Sequence, residues 1–153
     1  MKTLSRETDL NELLQRLRRL QPDSARRWGK MTPHQMVCHL SDSFRAVTGQ
    51  MTISQATGPL QRTVVKWVAL YAPMRWPAGI PTRPEIDQVR DAGTRPGDFA
   101  ADVAELERLT ARFAADRLGC ARPEHPIFGL MAHRDWMRWG YLHLDHHFRQ
   151  FGI

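Results

Sequence analysis

Two histidines one helical turn apart, His143 and His147, carry the strongest chemical signal in this chain. Positions i and i+4 of an α-helix differ by about 40° around the axis and about 6 Å along it, so both imidazoles can converge on one ion from a rigid backbone. A firm site needs a third nitrogen, and His39, in the apolar-periodic run from Met36 to Leu40, is the best candidate. Three neutral imidazoles would leave a divalent transition metal with its full double charge and with open positions, as in catalytic rather than structural sites. Such an ion lowers the pKa of bound water towards about 7, or holds a thiol as thiolate. All-imidazole ligation suits Zn, Ni, Fe or Cu, and affinity alone does not choose among them.

These rings need elements to position them. Residues 8–20 carry Leu10, Leu13, Leu14, Leu17 and Leu20 at three- and four-residue spacing, which predicts an amphipathic helix. Thr32 followed by Pro33 supplies a hydroxyl cap and a proline at the first helical position, and opens a second helix running to Gly49. Its buried face is Met36, Val37, Leu40, Phe44 and Val47. A third helix is expected over residues 60–72, apolar on more than one side through Val64, Val65, Trp67, Val68 and Leu70, and therefore heavily covered. A fourth spans 98–117 with Gly119 as its stop, and a last one 133–151.

No alternating strand pattern stands out, so the reading is all-α: an up-and-down antiparallel four-helix bundle with an additional helix, in a single domain over residues 1–153. Between the third and fourth helices, Pro73, Pro77, Pro81, Pro84 and Pro96 with Gly79 and Gly93 exclude a long helix or a central strand. Loops of this length in compact domains are commonly functional lids, and Trp76 and Ile80 favour one that packs against the body.

Advancing 100° per residue along the last helix puts His143 and His147 within about 20° of Trp136, on the buried edge. His146 falls about 80° away on the other side of Trp136, and reads as a partner to the ligands or as a surface group. On the second helix, His39 lies at the margin of the buried face near Ser43, whereas His34 points away from it and is expected to meet solvent. Asp42, Ser43 and Gln150 are candidate partners for the imidazoles; Asp145, on the polar face, is the weakest. Trp136 and Trp139 read as core, with a pocket wall as the alternative, and His125 as a loop anchor or a pocket donor. Cys38 reads as a small buried apolar residue.

Charge and cysteine usage narrow the setting. The net charge of +6 raises nucleic acid as a partner, but only Arg16, Arg18, Arg19, Arg26, Arg27 and Lys30 gather into a loose patch, without a recognition motif, so nucleic acid ranks last. Cys38 and Cys120 lack metal-knuckle or disulfide-framework spacing. No segment has the length and apolarity of a signal peptide or membrane span, which gives a cytoplasmic protein as the expectation.

Thr32 to Met36 leading into His39 and Asp42, then His125 to Gly129, Trp136, and finally the run from His143 to Gly152 resemble the DinB-like superfamily, in particular a branch known mainly as a domain of unknown function. The resemblance covers nearly the whole chain. It implies a four-helix bundle in which His39, His143 and His147 hold a divalent metal, Zn, Ni or Fe. It also implies a small-molecule substrate, with low-molecular-weight thiols serving the members of known activity, and homodimers. The expected function is a metal-dependent transferase or hydrolase that activates water or a thiol. The alternative is a non-catalytic metal- or ligand-binding bundle, acting as a sensor or dimerisation module.

Overall fold

The second helix begins where a single turn satisfies two otherwise orphaned amides. Thr32 Oγ1 accepts from the Gln35 backbone N–H at 3.1 Å, and Gln35 Oε1 accepts from the Thr32 N–H at 2.9 Å, with Pro33 at the first helical position. The last helix starts on the reciprocal half of that motif alone, because Ala132 has no side-chain acceptor: the Asp135 carboxylate takes the Ala132 N–H at 3.1 Å. Asp98 caps the preceding helix by accepting from the Ala101 N–H at 2.8 Å.

A computed structural model describes residues 1–116 and 124–153. It contains α1 (Glu7–Leu17), α2 (Pro33–Val47), α3 (Lys66–Tyr71), α4 (Phe99–Ala115) and α5 (His133–Gln150). A π-helical turn, Gln61–Val65, leads into α3, and two short 3-10 turns, Pro84–Ile86 and Gln88–Arg90, punctuate the loop after it. Among the described residues no strand occurs; His125 and Gly129 form one isolated bridge. The expected helix end at Arg117, its stop Gly119, and Cys120 lie outside the described residues.

Side chains from α1, α2, α4 and α5 share one apolar cluster, with Leu13, Phe44, Leu106, Phe113, Met137 and Phe148 almost fully buried. Burying each such side chain contributes roughly 1.5–3 kcal/mol relative to leaving it in water. Close approach is enforced at Gly140 of α5, where a Cβ would lie 2.5 Å from Leu4 Cδ1 and 3.3 Å from the Phe113 ring. No helix among the described residues is long and apolar enough to cross a membrane.

Two expectations are overturned. The segment over residues 60–72 is not heavily covered: Leu60, Val64 and Trp67 are 59%, 56% and 62% exposed, and only Leu70 is fully buried. Its apolar character is divided between a side lining a cavity, through Val64, Val65 and Val68, and a side facing outward. His34 does not simply meet solvent either. Helix α4 packs along that flank of α2, so the ring is edge-on to Phe99 and its Nε2 lies 2.6 Å from Asp102 Oδ2.

The proline-rich loop packs on the body through Trp76, as expected, but not through Ile80. Ile80 remains 44% exposed, while Ile86 and Gln88 are buried. Asp42, fully buried on α2, fastens the returning strand of the loop. Its Oδ2 accepts from Gln88 Nε2 at 2.8 Å and from the Thr94 N–H at 2.7 Å, and its Oδ1 from Thr94 Oγ1 at 2.6 Å and Arg45 Nη1 at 3.1 Å. Gly93 allows this: its φ of +73° favours glycine, and a Cβ there would sit 2.6 Å from both Asp42 Oδ2 and Gln88 Nε2.

Candidate metal centre

His39 from α2 and His143 and His147 from α5 meet at one point. The ring centroids are 5.5 Å (His39–His143), 4.8 Å (His39–His147) and 5.0 Å (His143–His147) apart. One ligating nitrogen from each ring lies within 4.8 Å of the other two. Small ring rotations would close that spread around a divalent ion with bonds of about 2.0–2.1 Å.

Two of the rings have their orientation and tautomer set by a neighbour. His39 Nδ1 is 3.0 Å from the Ile86 carbonyl oxygen, which only accepts, so Nδ1 carries the proton and Nε2 keeps its lone pair. His147 Nδ1 lies 3.2 Å from Gln150 Oε1. The amide of Gln150 is in turn oriented by its Nε2, which donates to the Trp28 carbonyl at 3.0 Å, so its oxygen must face the imidazole. Burial, reinforced by the neighbouring imidazoles, holds His143 and His147 well below the ordinary histidine pKa. Burial also lowers His39, against the opposing pull of the Ile86 carbonyl. Three neutral nitrogens facing one another fit a divalent cation, which all three lone pairs can serve together.

The other sequence-predicted residues separate into distinct roles. Gln150 bonds a ring of the triad, whereas Ser43 Oγ donates to the His39 backbone carbonyl at 2.8 Å and does not touch the imidazole. Asp42 serves the loop and not a ring, and Asp145 forms ion pairs with Arg16 at 2.7 Å and Arg149 at 2.9 Å. His146 is buried, 5.1 Å between centroids from His147, and its Nδ1 has no hydrogen-bond partner. His125 is a loop anchor that also lines the cavity: its Nδ1 accepts from the Ile127 and Phe128 N–H groups at 3.1 and 3.2 Å, and burial pushes its pKa down to about 3. Trp136 is core, packed on Phe113 and Trp139, while Trp139 reaches the cavity 5.2 Å from the His143 ring. Cys38 is buried and its thiol is pushed up to about 12, chiefly by that burial, so it is no nucleophile.

A second group of potential ligands, His34, Cys38 and Asp102, also lies within 4.8 Å. Hydrogen bonds account for it. Asp102 Oδ2 is engaged by His34 and by the Gly97 N–H at 3.0 Å, which ties α2 to the start of α4.

The triad forms part of the wall of a cavity of about 560 Å³, otherwise built mainly from apolar side chains of the π turn, α3, the proline-rich loop and the segment around His125. Trp76 covers it, its Nε1 donating to the Ala69 carbonyl at 2.7 Å and its ring 6.1 Å from His143 and 6.0 Å from His146. The Ile86 carbonyl and the Trp28 carbonyl are the contributors that sequence reasoning missed. Backbone atoms leave no mark in residue identity, and only the loop's length hinted that it had a task.

Fold and site together define an all-helical protein with converging imidazoles at the wall of an apolar cavity. The chain belongs to the DinB superfamily, whose family profile matches residues 5–151. No curated protein and no solved structure matches it.

Proposed function

We propose that this protein is a metal-dependent enzyme that binds a divalent transition ion, Zn, Ni or Fe, through His39, His143 and His147 and transfers an activated thiol, or water, to a small electrophile. The observation that carries this reading is the convergence of three neutral imidazoles, His39 and His147 buried and His143 half-buried, on the wall of a cavity large enough for a small-molecule substrate. When bound, such an ion would act as a Lewis acid that stabilises a thiolate or hydroxide at neutral pH. The protein's own share is orientation and dryness. Ile86 and Gln150 hold two rings in the right tautomer, and Trp76, Val68 and Phe128 keep bulk water from the reacting groups.

No carboxylate lines the cavity among the described residues, so a protein general base for hydrolysis would have to be a histidine such as His146, whereas thiol transfer needs only the metal-held thiolate. The supporting scaffold is read as an up-and-down four-helix bundle, since α1 packs on α4 and α5, and α2 packs on the same two helices. Pairing of two copies would use the outward-facing Leu60 and Trp67.

Elemental analysis tests the core of this proposal. Wild-type protein should carry close to one equivalent of metal and His143→Ala almost none; equal content in the two would overturn it. A cobalt-substituted sample titrated with low-molecular-weight thiols should change its visible spectrum, and a spectrum indifferent to every thiol would leave a metal-binding module without this chemistry.

A further inference from the structure

We infer that the cavity selects apolar molecules carrying one anionic group, with Arg83 as the partner of that anion; this rests on reading the cavity as the substrate site. Its lining is dominated by aliphatic and aromatic side chains, with Arg75 and Arg83 as the cationic groups and no acid among the described residues. A cation in an apolar wall that lacks an opposing acid is a place where an incoming anion gains a charge-assisted hydrogen bond without displacing a resident partner.

Arg83 is the better placed of the two. Among the described residues only one of its donors is engaged, Nη2 towards Ser54 Oγ, and its Nε is buried without a hydrogen-bond partner there. Glu85 is the nearest acid, its carboxyl held below the usual range by the Ser54 hydrogen bond and, to a smaller extent, by Arg83, yet the two make no direct ion pair, and Glu85 Oε1 accepts the Ser54 N–H at 3.1 Å. Ser54 therefore stands between the two charges. The guanidinium keeps unused donors of the planar kind that grips a carboxylate or sulfonate.

Position adds a second constraint. The Ile86 N–H donates to the Arg83 carbonyl at 3.1 Å, so Arg83 sits one tight turn from the residue whose own carbonyl orients His39. An anion held at Arg83 would direct the apolar remainder of a ligand along the cavity towards Trp139 and the histidines. Arg75, exposed and without an ion pair among the described residues, lies on the same loop and adds attraction at the opening.

The test uses chelator-treated full-length protein, so that its outcome is independent of metal. Two probes of nearly the same ring system are titrated, 1-anilinonaphthalene-8-sulfonate and the uncharged N-phenyl-1-naphthylamine. In Arg83→Gln the sulfonate should lose about tenfold in affinity, the scale of one hydrogen bond to a charged group, while the neutral probe changes less than twofold. Unchanged sulfonate affinity, or an equal loss for both probes, would overturn the inference. Should Arg83→Gln fail to fold, wild-type protein still decides: decanoate must displace the neutral probe at no more than about a tenth of the concentration that decanol requires, and parity refutes it. Failure here leaves the metal proposal standing, and a metal-free wild type leaves this result readable.

Discussion

Gln150 links the metal centre to a distant part of the chain, since its amide is shared between His147 and the Trp28 carbonyl. Removing it would free the His147 ring to rotate and to change tautomer. Gln150→Ala should therefore weaken metal affinity roughly 10–100-fold, the usual effect of losing a group that orients a ligand, as read by competition with a chelator of known strength. His125 gives a different prediction. Its pKa is about 3 in the folded protein against 6.5 for the free side chain, so the unfolded chain binds the extra proton over that interval and the folded protein does not. Stability contributed this way is complete above pH 6.5 and is lost as pH falls towards 3, at up to about 1.4 kcal/mol per pH unit from this residue alone. Denaturant midpoints measured from pH 7 to 4 should fall steadily in wild type and less steeply in His125→Gln; parallel slopes would remove His125 from the explanation.

At the level of elements, the proline-rich loop owes its path to Asp42. Asp42→Ala would leave Gln88, Thr94 and Arg45 without their shared acceptor in a buried setting, a loss of about 3–5 kcal/mol by analogy with a broken buried ion pair. Hydrogen exchange should then rise sharply across residues 84–94, and metal affinity should fall as well, because the Ile86 carbonyl sits on the released segment. Legibility from sequence divides along the same line. The second and last helices could be read from the cap at Thr32, the periodic apolar positions and the HxxxH spacing, because each of those signals is local. The covering of residues 60–72 could not, since Val64 and Trp67 announce apolar surface without saying whether protein, ligand or a second copy lies against it. The solvent-facing assignment of His34 failed for a related reason: arithmetic on one helix does not know that α4 lies on its flank. Asp42 carried a correct sign of importance, a carboxylate near the buried face, but its partners lie about fifty residues away in a loop with no periodic pattern.

For the molecule as a whole, the core and the candidate metal centre are coupled because α2 and α5 supply both. Ligand bound only by the native state adds RT ln(1 + [L]/Kd), so metal at 100 times its Kd should stabilise the protein by about 2.7 kcal/mol. Thermal melting should show a clear drop on chelation in wild type and none in His143→Ala. Phe113→Ala, by contrast, should cost about 3–5 kcal/mol with or without metal, since that ring fills the centre of the apolar cluster. The three imidazoles also come from widely separated parts of the sequence: His39 and His143 are 104 positions apart. A nascent chain whose last helix is still inside the ribosome therefore presents only one of the three imidazoles and cannot assemble the site. Assembly of the three rings must wait until α5 has emerged and docked on α2, and a product truncated before residue 143 would lack two of them.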